Sequence, residues 1–425
     1  MKKTINETTV SNGLCVSCGI CSAVCPKEII EMKMENGQYI PKIDIDKCIK
    51  CGICSDVCSM HNIDFKKYSE LNNTQDSADI FVGDYKHCYN AYTYDRKIRA
   101  KSTSGGCITS LVEKLLNENK YDCAFLVDDF NYNKLLETKK YSKGEEFSKS
   151  CKSRYLSVSH KNMINYILKN KEHKVIIVAT PCVIHTFYNV IKRYKLNRNN
   201  YLLLGLFCDR TLNYNIVEYF KKFDRSNKSI KNLYFRTKEK KGWPGNVKIE
   251  YMDGSVKFLA SKERMIVKDY FQLESCLYCI DKLNQFSDIS FGDNYTGKNS
   301  SEKGVSSIIS RTNLGDQTIE YAKDIWNVIE IGMDDIILSQ KIKEKRVNIK
   351  YAEDLRSEKK VGIYSEDIYE YGVKSKETNL VDRLNKIRMG KNYTTNFKEF
   401  NKHINILKIK RIKRKVEQLI KGLKR

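Results

Sequence analysis

The chain has 425 residues, 16 of them cysteine, with 41% apolar and 30% charged residues and a formal net charge of +24. That length exceeds what one hydrophobic core usually serves, so two or three domains are expected, and no stretch approaches the roughly 18 uninterrupted apolar residues of a membrane-spanning helix. The N-terminus, MKKTINETTVSNG, has neither an apolar core nor a small-residue cleavage site, so no secretory signal is read and the expected location is cytoplasmic. In that compartment thiols stay reduced and clustered cysteines read as metal ligands. Net charge alone does not distinguish nucleic acid, an anionic membrane and an acidic protein. Because only charge speaks for it, a nucleic-acid partner is not expected.

Residues 1–65 are dense in cysteine. Cys15, Cys18, Cys21 and Cys25, followed by Pro26, match C-x2-C-x2-C-x3-C-P, and Cys48, Cys51, Cys54 and Cys58 repeat the spacing without the proline. This is the pattern of a bacterial two-cluster ferredoxin. Three thiolates in a tight loop reach three irons of one cubane, while the fourth, on the next helix, points to the other cluster. One 4Fe-4S cluster is therefore assigned to Cys15, Cys18, Cys21 and Cys58, and the second to Cys48, Cys51, Cys54 and Cys25. Gly19 and Gly52 leave room for backbone amides near sulfide. Zinc, the rival ion, asks for four ligands with a longer gap between pairs, which two tandem quartets do not offer. Ser59 stands where the second proline is usual, a change that affects loop stiffness rather than cluster assembly.

Lys66 to Ala78 is polar and without periodicity, so residues 66–80 read as a linker. Residues 81–330 form the second domain. Short apolar runs at Cys123–Val127, Val175–Ala179, Leu202–Phe207 and Ile289–Phe291 alternate with helical patterns at 106–119, 182–195 and 211–223, which predicts an α/β core. Residues 247–259 place Asp253-Gly254 between two strand-like runs, an antiparallel hairpin inserted at or near an edge. The overall fold class is α+β or α/β: a small ferredoxin domain, a larger α/β domain and a basic helical tail over 331–425. Asn401 to Arg425 carries ten Lys and Arg against one Glu, and Ile409, Ile412, Val416, Leu419 and Leu423 recur at helical spacing. Such a helix suits an anionic membrane, a docking partner or the protein's own surface.

In the second domain Cys182 follows Ala-Thr-Pro, Cys208 ends a strand, and Cys276 and Cys279 form a CxxC. Spacing alone leaves a third cluster, a dithiol redox pair and a zinc half-site open. Ser104-Gly105-Gly106 opens a helix whose free amides favour an anion, or is an ordinary cap with Ser104 as N-cap. Thr180 and Pro181 end a strand at the sheet edge where α/β folds bind cofactors, or form a plain strand-to-helix turn. Cys88, Cys107, Cys123 and Cys151 share no spacing and read as buried free thiols, and His185 reads as a structural histidine.

SGG at Ser104–Gly106 with Thr109, ATPC at Ala179–Cys182, GLFC at Gly205–Cys208, and C-x2-C-x-D followed by SDISFGD at Cys276–Asp293 stand in one order. Together they resemble the beta-subunit family of coenzyme F420 hydrogenases and dehydrogenases, where F420 names a deazaflavin coenzyme. The resemblance covers residues 85–320, and a ferredoxin module in front is common in that family. It implies an α/β domain that binds FAD beside a third 4Fe-4S cluster, with Cys182, Cys208, Cys276 and Cys279 as ligands. It further implies flavin contacts from Ser104, Gly105, Gly106, Thr109, Thr180 and Pro181, from Lys152 and Arg154 in a loop with Ser153 and Tyr155, and from Asp293. The expected activity is that of a flavin-dependent iron-sulfur oxidoreductase, relaying electrons from a ferredoxin-like or other acidic redox protein to a small-molecule acceptor. A non-catalytic component of a larger redox complex, and a reductase tied to polysaccharide assembly that does not use coenzyme F420, are the alternatives.

Overall fold

The computed structural model describes residues 2–72, 79–127, 130, 134–147, 150–223, 228–372 and 379–423. Its strands in chain order are β1 (Ile30–Glu35), β2 (Gln38–Ile43), β3 (His87–Thr93), β4 (Cys123–Val127), β5 (Leu136–Tyr141), β6 (Val158–Ser159), β7 (Val175–Ala179), β8 (Tyr201–Leu206), β9 (Ile230–Thr237), β10 (Asn246–Tyr251), β11 (Val256–Leu259), β12 (Ile289–Asp293), β13 (Ser306–Ser310) and β14 (Trp326–Glu330). Nine of them form one sheet in the order β14-β3-β13-β12-β8-β7-β4-β5-β6. Its middle is parallel, β12 to β8 to β7 to β4, and antiparallel pairs flank it on both sides. The core is thus mixed α/β, with the predicted strands in its parallel centre.

β7 reads VIIVA without alternation because both faces of the sheet are covered, as parallel strands require. Val175, Ile177 and Ala179 pack under the helix Pro181–Tyr194 against Val183, Ile184 and Phe187. Ile176 and Val178 face the other way, toward Leu111 and Leu115 of the helix Cys107–Asn117. The third helical pattern, 211–223, shortens to Asn215–Lys221. The carboxyl ends of β4, β7, β8 and β12 all open on one edge of the sheet.

The cysteine-rich segment joins the first of these cores. Leu14, Ile20, Val24, Val57 and Met60 are buried with the helix Pro181–Tyr194 in one continuous apolar cluster. Part of the stretch read as a linker is helical, Phe65–Leu71, with Asp64 accepting from the Lys67 amide at 3.0 Å as its cap. Phe65 and Tyr68, one turn apart, are buried there; two intervening lysines hide the spacing in the sequence. Residues 73–78 of that stretch lie outside the described residues.

β9, β10 and β11 form a separate antiparallel sheet, and Gly254 turns the predicted hairpin at φ 82°. This sheet packs on a third core with the helix Asn215–Lys221, Tyr270, Phe271 and two residues of the last helix, Phe400 and Ile404. After β14 the described chain is helical, ending in Phe397–Leu423. Leu419 and Leu423 of the expected apolar stripe, as side chains, and residues 424–425 lie outside the described set. Among the described residues no helix is long and apolar enough to cross a membrane.

Candidate iron-sulfur groups and cofactor cleft

The two cysteine repeats fold alike. Ser17 and Lys50 have φ of 61° and 50°, Gly19 and Gly52 of 69° and 78°, so each loop takes two left-handed steps before a short helix, Ile20–Ala23 or Ile53–Asp56. Those steps turn amides inward toward sulfur, the Ser17 amide meeting Cys15 Sγ at 3.4 Å. A Cβ on Gly19 would meet Ser159 Oγ at 2.7 Å, so glycine serves packing as well as backbone angle.

Cys15, Cys18, Cys21 and Cys58 converge in one group, with Cys21 buried and the other three half-buried. Burial pushes the Cys15 thiol up to about 12 and those of Cys18, Cys21 and Cys58 upward as well, and Cys58 acts on the other three. Cys25, Cys48, Cys51 and Cys54 line a second small pocket with Pro26 and Gly52; burial, then its neighbours Cys25 and Cys51, raises Cys54. Cys182, Cys208, Cys276 and Cys279 form a third group. Burial lifts Cys182 to about 11 and raises the other three, and Cys208 feels all its companions. Thr211 N donates to Cys276 Sγ at 3.3 Å, and the Lys345 ammonium draws Cys208, Cys276 and Cys279 back toward the thiolate.

Four gathered cysteines, whose thiolate forms would repel one another, fit a strongly cationic group in their midst. Among the described residues no three His, Cys, Asp or Glu side chains stand at the spacing of a single metal ion. A cubane, with each thiolate on a different iron, asks for wider separation than one tetrahedral ion. The groups lie in series: Cys21 is within electrostatic reach of Cys54, and Cys18 of Cys182. Ser59, in the place of the usual proline, is fully buried and bonds across this junction to Thr186 Oγ1 at 2.9 Å and the Cys182 carbonyl at 3.4 Å.

Beside the third group, at the carboxyl edge of the parallel strands, lies a cleft of about 900 Å³, within the range of ligand sites. Ser104, Gly106, Thr109, Lys152, Arg154, Thr180 and Asp293 line it, as do Cys18, Cys182, Cys208 and Cys276. Gly105 and Pro181 do not. Gly105 lies where a Cβ would strike Ala91 O at 2.5 Å, so it serves the contact with β3, and buried Pro181 is the first residue of its helix. The N-cap of the helix Cys107–Asn117 is Gly106, at φ 83° and with no side-chain cap. Ser104, the alternative cap, instead donates to Val305 O at 2.6 Å. That helix therefore presents uncapped amides beside the cleft.

Asp293 is already engaged. Arg236, from β9, grips its carboxylate through both Nη atoms, and Trp243 Nε1 donates to it at 2.9 Å. Burial alone would raise its carboxyl, but the Arg236 guanidinium and these hydrogen bonds hold it below the ordinary carboxylate range. Arg236 and Trp243 were not found from sequence, although Gly242-Trp243-Pro244-Gly245 is a turn signal with an isolated indole. Other cleft residues missed were His160 and Arg264. Among the described residues the buried His160 Nδ1, Ser102 Oγ, Ser157 Oγ and Arg264 Nε atoms have no hydrogen-bond partner; they belong to residues lining the same space, which fits a polar ligand there. Burial holds the His160 imidazole down at about 4. His185 is buried, stacked on Tyr68, with Nε2 at 2.9 Å from Asp281 Oδ2. Cys88, Cys107 and Cys123 are buried free thiols and Cys151 is half-buried.

Residues 172–332 match the family model for the C-terminal part of the coenzyme F420 hydrogenase/dehydrogenase beta subunit, residues 88–165 the model for its N-terminal part, and residues 14–62 a 4Fe-4S dicluster domain. A coenzyme F420-dependent sulfite reductase of Methanocaldococcus jannaschii is 24% identical over 80% of this chain, which spans 50% of that protein's length. One of the subunits of an F(420)H(2) dehydrogenase of Methanosarcina mazei is 23% identical over 76% of this chain and 86% of its own. A chain of the F420-reducing NiFe hydrogenase complex from Methanosarcina barkeri aligns with a TM-score of 0.49 at 22% identity, covering 65% of this chain and 94% of that one. The chain belongs to the coenzyme F420 hydrogenase/dehydrogenase beta-subunit family and carries a 4Fe-4S dicluster domain toward its N-terminus.

Proposed function

We propose that the chain is an iron-sulfur flavoprotein oxidoreductase, moving electrons from a one-electron donor through three 4Fe-4S sites to FAD in the cleft and on to an organic acceptor. One observation carries this reading: three four-cysteine groups stand in series and the last borders the cleft. Clusters exchange single electrons, and a flavin collects two for an organic acceptor. The ligands proposed are Cys48, Cys51, Cys54 and Cys25 at the outer site, Cys15, Cys18, Cys21 and Cys58 at the middle one, and Cys182, Cys208, Cys276 and Cys279 at the inner one.

The chain's own part is placement and electrostatics. Lys27, Ile49 and Lys50 rim the outer pocket, with Ile49 58% exposed, a face suited to an acidic one-electron donor. At the inner site Lys345 and Arg210 add positive charge beside the thiols, which favours the more reduced, more negative state. The uncapped helix start at Gly106 and the Lys152 ammonium favour the cofactor's pyrophosphate. Thr109, Arg154 and Thr180 line the same cleft. Asp293, locked to Arg236, shapes its lining rather than reaching for the ligand.

Anaerobically prepared protein with reduced ferredoxin tests the reading. Cys276→Ser should lose about four of twelve irons and, with them, reduction of the bound flavin, while the N-terminal sites still bleach. Flavin reduction at the unchanged rate in that variant would refute the relay.

A further inference from the structure

The last helix, Phe397–Leu423, uses two opposite faces. In its first half Phe400 and Ile404 are buried and Leu407 is half-buried against the core under β9–β11. There His403 Nε2 meets the Tyr270 hydroxyl at 2.7 Å and Lys408 Nζ donates to Glu263 at 2.6 Å. Past Leu407 the apolar residues change sides. With about 3.6 residues per turn, Ile409, Ile412 and Val416 fall on one narrow stripe roughly opposite Phe400 and Ile404. They are 55%, 62% and 48% exposed, and Ile406 beside them is 44% exposed. Positions that would continue the docked face are Arg411 and Gln418. Among the described residues the stripe therefore stays exposed rather than covering the protein's own surface.

Charge narrows what can cover it. Asn401 to Arg425 holds ten Lys and Arg against Glu417 alone, and Lys402, Lys410 and Lys413 are exposed around the stripe. A second copy of the helix would bring like charges together. A nucleic acid would satisfy the cations and leave the isoleucines wet. An aliphatic stripe between cations matches the boundary of an anionic lipid surface, where methyl groups enter the acyl region and ammonium groups stay with the headgroups. We propose that this half of the helix is a peripheral docking face for an anionic lipid surface, with Ile406, Ile409, Ile412 and Val416 inserted. The proposal stands apart from the electron relay.

Full-length protein, sedimented with vesicles of phosphatidylcholine alone or mixed with phosphatidylglycerol, tests it. The mixed vesicles should retain the protein, salt should weaken retention, and neutral vesicles should not hold it. The triple variant Ile409→Asn, Ile412→Asn, Val416→Asn should bind at least about tenfold more weakly with unchanged iron content, because all three side chains are exposed. Absence of vesicle binding, equal binding to neutral vesicles, or a triple variant that binds as tightly would overturn the proposal. So would retention on DNA or an acidic protein, rather than on the vesicles, that ignores the triple variant.

Discussion

Asp293→Asn should destabilise the protein by about 3 kcal/mol at neutral pH. The Arg236 and Asp293 side chains are 3% and 17% exposed, so losing the carboxylate strands a guanidinium away from water. Breaking such a pair costs about 3–5 kcal/mol. The lower end applies, because Asn can still accept from Trp243 and Arg236 keeps its bond to the Pro244 carbonyl at 2.9 Å. The pH dependence has a defined sign. The folded carboxyl lies below its ordinary value of 3.8, so its stabilisation is complete above that value and fades as pH falls through the folded one. Urea unfolding of anaerobically prepared protein, followed by far-UV circular dichroism from neutral to acid pH, should show the two stability curves converging in acid. A neutral-pH difference under about 1 kcal/mol, or one that does not shrink toward acid, would refute the reasoning.

Other outcomes follow from single contacts. Thr186→Val removes the shorter of the two hydrogen bonds of buried Ser59 and should cost about 1–2 kcal/mol while leaving iron content unchanged; slower flavin reduction at full iron content would mark the junction between the middle and inner sites. Gly205→Ala places a Cβ 2.5 Å from Asn284 Cγ and Ser287 Oγ, an overpacking worth roughly 1–3 kcal/mol that thermal unfolding would detect. On the proposed placement of FAD in the cleft, Lys152→Gln should weaken its binding by about tenfold, read by flavin fluorescence, with no loss of iron.

The parts legible in the sequence were those with a short-range cause. Cys15 to Cys25 and Cys48 to Cys58 announce themselves because cubane ligation fixes the interval, and β7 because a strand covered on both faces must be a continuous apolar run. The apolar stripe of the last helix was legible too, but not that Phe400 and Ile404 would dock on the opposite side, which depends on a core assembled from β9–β11. Long-range partners were hidden. Nothing around Asp293 points to Arg236, 57 residues away, nor does Ser59 announce Thr186, 127 residues away. The helix Phe65–Leu71 was masked by lysines between Phe65 and Tyr68, whose burial comes from the helix Pro181–Tyr194 and Phe286.

Iron, acid-labile sulfide and flavin measured on one anaerobic preparation test the central claim most directly. Three cubanes and one FAD predict about twelve irons, twelve sulfides and one flavin per chain. About eight irons would remove the inner site, and a colourless protein would contradict the whole account.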